Sequence, residues 1–334
     1  MNLDFLKEVL SLPSISGDES MVRDYIIEYA KTNGIEYYTD KKGNLYLTKG
    51  VLDSTFKGDE YFPCVVSHMD TVHRTHRNLI ENKVRLTIKE DNLGWLTAHH
   101  PETDKQTGIG GDDKCGVYVC LELFKNFDKL KAAFFVEEEI GMLGSKESDD
   151  KFFDNVGYAI QFDAPSSNWI TEICSGVKLF DEDFKTEIKG VLNESGYNKF
   201  SIDPFTDVNQ LAKKYDFNCL NLGCGYYRQH SDFEYVIISE VEDSLKAGVE
   251  LINKLGLTKY VHKKTVVKPI VNEVHRYGLS SQFDEFDDNP FADEFDEMGA
   301  EVSEMVITMF IGGISEKDIY EEVSKYLRDY YTNY

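Results

Sequence analysis

The apolar positions of this chain alternate between two spacings. From Ser14, "SISGDESMVRDYIIEYAKTNG" carries apolar residues at helical intervals as far as Gly34, and Ser16 with Glu19 three residues later predicts a capped helix start. "IEYYTDKKGNLYLTKG" reads as two strands joined by a Lys-Gly-Asn turn. "YFPCVVSHMDTV" is short, β-branched and almost continuously apolar, the signature of a strand buried on both faces of a parallel sheet. A hairpin follows in "VRLTIKEDNLGWLTA", a helix in "GVYVCLELFKN", and buried strands in "AAFFV" and "GYAIQFD". "TDVNQLAKKYD" is helical, "FNCLNLGCG" a strand, and "SEVEDSLKAGVELINKLG" a long amphipathic helix. Strands alternating with helices predict an α/β fold: a three-layer α/β/α sandwich around a mixed, mostly parallel sheet.

The pattern changes after Lys264. Between Asp284 and Glu297 there are eight acids and no bases, interleaved with the four phenylalanines Phe283, Phe286, Phe291 and Phe295. Charge opposes compaction in such a segment, which reads as an acidic linker. "SEMVITMFIGG" and "SEKDIYEEVSKYLRDYY" beyond it read as two short helices, the second capped by Ser315. The expected organisation is a catalytic domain over 1–264 and an appendage over 265–334, whose phenylalanines, costly to leave in water, predict docking in a groove of this chain or of a neighbouring subunit, the latter forming a homo-oligomer; a solvated linker is the alternative. No internal repeat occurs at a regular period.

Charge narrows the function classes. The formal net charge is −24. Phosphate binding needs basic surface, so nucleic acid is not expected as a primary partner, nor is an anionic membrane. "MNLDFLKEVLSLPSISG" lacks the basic start and continuous apolar run of a secretory signal. Six cysteines without CxxC spacing read as reduced core thiols, which places the chain in the cytoplasm.

Candidate chemistry gathers at strand ends. The apolar run "AAFFV" leads straight into Glu137, Glu138 and Glu139, three carboxylates that repel one another unless solvent or a cation intervenes. In "VVSHMDT", His68 and Asp70 share one strand face, and a ligating imidazole needs an acceptor such as Asp70 for its other ring proton. "GIGGDDKCG" is a glycine-rich turn before a helix, with Asp112 and Asp113 adjacent; an Asp there also serves as an ordinary helix cap. "AIQFDAP" ends a strand on Asp163, and "GYYRQHSDFEYV" offers His230 after two tyrosines.

Taken in this order, the residues resemble the co-catalytic dizinc exopeptidases and deacylases, a family that includes peptidase T, glutamate carboxypeptidase and acetylornithine deacetylase. That pattern runs HxD, a glycine-rich Asp-x-Lys, Glu-Glu-x-Gly, a strand-end Asp and a late His. Here it is His68-Met69-Asp70, Asp112-Asp113-Lys114, Glu138-Glu139-Ile140-Gly141, Asp163 and His230, and the resemblance spans Asn2 to Gly256. It implies two divalent ions: zinc, with cobalt or manganese as alternatives the same donors accept. Asp112 is then the bridge, His68 and Asp163 complete one site, and Glu139 and His230 complete the other. Glu138 is the general base and later proton donor to the leaving amine, Asp70 orients His68, and Glu137 faces solvent. The resemblance also implies a cis peptide between Asp112 and Asp113.

One departure matters. Only 66 residues separate Asp163 from His230, too few for the lid or dimerisation domain that peptidase T-like relatives insert there. The expected architecture is therefore nearer to the single-domain zinc aminopeptidases of the same clan. The oxyanion donor that the lid supplies is assigned instead to Tyr226 or Tyr227, with Arg228 as a ligand for a substrate carboxylate. The expected function is a cytoplasmic metallo-aminopeptidase acting on short peptides. A carboxypeptidase or an N-acyl-amino-acid deacylase would share every metal residue, and an inactive binding or structural subunit is the remoter reading.

Overall fold

The computed structural model describes residues 1–52, 60–203 and 205–263. The expectations placed on residues 265–334, the acidic linker, the two terminal helices and their docking, lie outside the described residues.

In chain order, helices α1 (Leu3–Leu10) and α2 (Ser20–Thr32) lead into strands β1 (Glu36–Thr39), β2 (Leu45–Lys49) and β3 (Phe62–His68), then helix α3 (Arg77–Glu81). Strands β4 (Thr87–Glu90), β5 (Trp95–His99) and β6 (Gln106–Thr107) precede α4 (Gly111–Leu123) and β7 (Leu130–Phe135). Short helices α5 (Leu143–Lys146) and α6 (Asp150–Phe153) lead to β8 (Val156–Ala164), β9 (Trp169–Cys174), β10 (Val177–Lys178) and helix α7 (Glu182–Glu194). The chain continues through β11 (Lys199–Asp203), α8 (Asp207–Lys214), β12 (Asn218–Gly223), β13 (Tyr226–Tyr227), β14 (Tyr235–Ile237) and α9 (Ile238–Leu255).

The fold is α/β, with a mixed sheet ordered β1-β2-β7-β3-β8-β12-β9-β10 and β11 paired to β9. Its centre, β7-β3-β8-β12, is parallel. All residues of β3, β7 and β12 are buried, which is why these strands read as continuous apolar runs and not as alternation. Successive residues of β8 show the layers. Gln161 accepts hydrogen bonds from Thr206 and Val208 of the α8 start on one face. Phe162, its neighbour, points to the other face, where Gly248 of α9 passes too close to admit a Cβ. Helices thus cover both faces.

A second, smaller sheet runs β13-β14-β5-β4, with β6 on β5. The sequence yields its β4–β5 hairpin but not its joining to the segment after β12. The interval between Asp163 and His230 is spent on β9, β10 and β11, which extend the main sheet, and on α7, α8 and β12. All six cysteines are buried. Among the described residues, no helix is long and apolar enough to cross a membrane.

Candidate metal centre

His68 is the last residue of β3 and Asp163 the penultimate residue of β8, so two adjacent parallel strands deliver both to the carboxyl end of the sheet. His68 Nε2 lies 3.1 Å from Asp112 Oδ1 and 3.5 Å from Asp163 Oδ1. On its other side, Nδ1 lies 3.2 Å from the Asp70 carbonyl oxygen and 3.4 Å from Asp70 Oδ1. Asp70 does more than face that ring. Its Oδ1 accepts from the Glu138 amide at 3.0 Å, and its Oδ2 accepts from the Glu139 amide at 3.1 Å and from Ser16 Oγ at 2.8 Å. Ser16 is therefore not the cap of α2; the residue before that helix is Glu19, which makes no side-chain cap bond. A buried carboxylate has captured the hydroxyl that local sequence assigned to the helix end.

Asp112 stands at the turn into α4 with its two oxygens divided. Oδ1 faces His68 at 3.1 Å and Oδ2 faces His230 at 3.3 Å. The Asp112–Asp113 peptide is cis. Among the described residues two donor clusters have metal-binding spacing, His68–Asp112–Glu139 and His68–Asp113–Asp163, and Asp113 belongs to the second. Its oxygens, however, accept from the His68 amide at 3.2 Å and the Gly116 amide at 3.1 Å. That is the helix-capping use, and it leaves Asp112 as the carboxylate shared between the two histidines.

Strand β7 stops at Phe135, and Glu137 has φ 53°, so the three glutamates lie on a turn and not on the strand. Strand alternation therefore does not sort them; the turn does. Glu137 forms an ion pair with Lys42 and is 22% exposed, a correction to its reading as a plain solvent-facing residue. Glu138 is buried with Oε2 4.0 Å from His68 Nε2. Glu139 Oε2 lies 3.0 Å from His230 Nε2, while its Oε1 is buried without a hydrogen-bond partner.

The loop between β13 and β14 brings in His230, with left-handed backbone at Arg228 (φ 54°) and His230 (φ 61°). Tyr226 is buried and its hydroxyl lies 3.4 Å from Asp163 Oδ1. Tyr227 turns elsewhere: its hydroxyl donates to both oxygens of Glu240, at 3.0 and 2.8 Å. Arg228 is exposed. The structure thus brings His68, Asp70, Asp112, Glu138, Glu139, Asp163, His230 and Tyr226 together, and leaves Tyr227 outside.

Electrostatics favour a cation here. Burial pushes Asp163 and Glu139 each up to about 7, with Asp112 adding to both. Burial raises Glu138 well above the carboxylate range, with Asp163, Asp207 and Glu139 adding. Burial acts to lower His230, but Asp112 and Glu139 overcome it and lift the imidazole to about 12. His68 is raised for the same reason, chiefly by Asp163. Protons on the two histidines are what offsets so many carboxylates. Divalent cations would replace those protons, since bound cations invert the local pKa logic. The orphaned Glu139 Oε1 and an all-N/O donor set without thiolate fit catalytic zinc or a similar ion.

Sequence reasoning passed over Asp207, which is fully buried beside Ser145. Burial pushes it up to about 8, with Asp163 and Asp70 adding, and it in turn raises Glu138. An Asp following Thr at a helix start reads as capping, so its only signal was position after a strand-like "FSID".

No family model matches the sequence, and no curated protein matches it. Solved structures do. The aminopeptidase PepT from Bacillus cereus ATCC 10987 is similar with TM-score 0.59 and 15% identity, over 76% of this chain and 97% of that one. A TET aminopeptidase from the marine sediment archaeon Thaumarchaeota archaeon SCGC AB-539-E09 gives 0.58 and 12%, over 76% and 97%. A tripeptidase from Staphylococcus aureus subsp. aureus mu50 gives 0.57 and 14%, over 75% and 96%. At these identities the likeness establishes the fold these structures share with the chain.

Proposed function

We propose that this chain, built on the fold of those peptidases, is a two-cation metallo-exopeptidase that removes the N-terminal residue of short peptides. The observation that carries the reading is the division of the Asp112 carboxylate, one oxygen toward His68 and the other toward His230. His68 and Asp163 would hold one cation, Glu139 and His230 the other, and Asp112 both. The cations, zinc before cobalt or manganese, acidify a water and polarise the scissile carbonyl when bound. Glu138 is the general base: it is buried beside His68, placed to take a proton from a water and return it to the leaving amine. Asp70 fixes the His68 ring and the backbone of both glutamates at once. Tyr226, whose hydroxyl already reaches Asp163, is the nearer of the two tyrosines to developing oxyanion charge.

The aminopeptidase reading is supported by the aminopeptidases among the similar structures. Another similar structure, the TET1 peptidase of Pyrococcus horikoshii, can assemble into a tetrahedron or a large octahedral shell; a homo-oligomer is proposed here too, with sedimentation as its check. A cytoplasmic location is proposed from the six buried thiols. The decisive experiment compares release of terminal residues from unblocked and N-acylated peptides by the zinc-loaded protein. Cleavage confined to unblocked N-termini is expected. Cleavage of N-acyl amino acids, or release from the carboxyl end, would replace the aminopeptidase by a deacylase or a carboxypeptidase.

A further inference from the structure

Glu234 has no part in the ligand set, yet it is fully buried directly behind it. It lies four residues after His230, on the same loop into β14. Its Oε2 accepts from the Gly110 amide at 2.8 Å and from His73 Nε2 at 2.8 Å; its Oε1 accepts from the Asp112 amide at 3.1 Å. One carboxylate therefore grips the backbone of the bridging residue from behind, while its own backbone belongs to the loop that carries His230.

The glycines of "GIGGDD" make room for this arrangement. A Cβ on Gly108 would fall 1.9 Å from His73 Cε1, inside the ring. A Cβ on Gly111 would fall 2.7 Å from Val236 Cγ2 and 2.8 Å from Tyr226 Cβ, with Glu234 Oε1 at 3.3 Å. Gly108 is required because the His73 ring occupies the space beside it, and Gly111 because Val236 and Tyr226 pack against it with the Glu234 carboxylate just beyond. Burying a carboxylate is costly unless its hydrogen bonds are made, and here three donors make them.

We propose that Glu234, seconded by His73, is the positioning residue of the bridging carboxylate. It locks the Gly110–Asp112 turn to the His230 loop, so that the two sides of the metal centre keep a fixed separation. The inference rests on the reading of Asp112 as the bridge. Hydrogen-bonding partners behind metal ligands usually change metal affinity about 10–100-fold when removed. In Glu234→Gln the amide nitrogen must face one of the three donors, so one contact becomes a donor–donor clash.

The test is titration of the full-length, metal-free protein with Co2+ alone, followed by the visible absorption of the bound ion and by competition with a chelator. Wild type is expected to take up two equivalents. Glu234→Gln, with unchanged far-ultraviolet circular dichroism, should bind the second equivalent about 10–100-fold more weakly and with an altered cobalt spectrum. Wild-type affinity and spectrum in that variant would overturn the inference. If Glu234→Gln does not fold, the His73 pair decides. His73→Leu should weaken the second equivalent about tenfold, and His73→Gln, which restores a donor, should recover most of it. Two equivalents bound as tightly in His73→Leu as in wild type would overturn it equally. A wild-type protein that takes up no cobalt would instead sink the metal reading, and this inference with it.

Discussion

The two sides of the proposed metal centre are built from different material. His68 and Asp163 stand at the ends of neighbouring parallel strands, with side chains 1% and 7% exposed. His230 is 49% exposed on a loop of the small sheet, and Glu139 sits on a turn past the end of β7. The first side inherits its geometry from the hydrogen-bonded core of the sheet. The second is assembled by polar contacts, Asp70 to the glutamate amides and Glu234 to the bridging turn. A ligand set anchored in a ladder is preformed, whereas one hung on loops opens at little cost. The sheet-borne site should therefore hold its cation more tightly than the loop-borne one.

Asp112→Ala should erase the distinction, because it removes the group both sides share. Metal content is expected to fall to none and turnover with it; full occupancy in the purified variant would refute the bridge. Next in size is Glu138→Gln, nearly isosteric but unable to accept a proton. Turnover should fall about 10²–10⁴-fold while both cations remain bound, as elemental analysis would show. His230→Ala should separate the two sides directly. Its cation is expected to be lost and the one at His68 and Asp163 retained, with the fold intact because His230 is half exposed. Simultaneous loss of both cations would mean the sides are not independent.

How much of this was legible in the sequence follows the same division. The parallel strands and their terminal His68 and Asp163 were readable, because strands buried on both faces announce themselves as apolar runs. The cis peptide at Asp112, carried over from the resemblance, is present. What the chain did not disclose is which polar groups meet across long separations. Ser16, placed as a helix cap, instead bonds Asp70, and Tyr227, one of the two tyrosines offered as an oxyanion donor, bonds Glu240. Glu234 and Asp207 look like surface or capping acids in one dimension and are fully buried in three. The apolar run leads into three glutamates, but the backbone leaves the strand at Phe135, so a turn and not strand alternation sorts them. Local propensity carries no information about such tertiary capture.

The metal-free protein offers a smaller, pH-dependent effect. Glu139 and Asp163 are raised to about 7 and His230 to about 12, all above their values in an unfolded chain. A folded-state pKa above the unfolded one means that the folded chain binds more protons. The stability this gives is therefore full at low pH and is lost as pH rises, from the carboxylates first and from His230 beyond them. Asp112 and Asp70 are lowered, so their contribution is lost only in acid. The melting temperature of the metal-free protein should thus fall between about pH 5 and pH 9, and zinc should stabilise it more at the upper end, where fewer protons need to be displaced. A melting temperature that rises over this range would contradict the proton assignment of both histidines.

The smallest effect is expected at Glu137, and it tests whether the turn sorts the three glutamates as described. Glu137 shares a chemistry and a neighbourhood with Glu138 and Glu139, but its left-handed backbone directs it to Lys42, away from the histidines. Both partners are about a fifth exposed, with side-chain accessibilities of 21% and 22%. An ion pair of that kind contributes about 0.2–1 kcal/mol, discounted further by salt. Glu137→Gln should therefore leave metal content unchanged, turnover within about twofold of wild type, and stability lower by less than about 1 kcal/mol. Its cost should shrink as ionic strength rises, since solvent already reaches the pair. The same substitution at Glu138 removes the proposed base, and at Glu139 it removes a charge from the proposed loop-borne site, so the three variants form a graded series across adjacent residues. If Glu137→Gln instead abolished turnover as Glu138→Gln should, the base would be Glu137, and the roles given to the turn would have to shift by one residue.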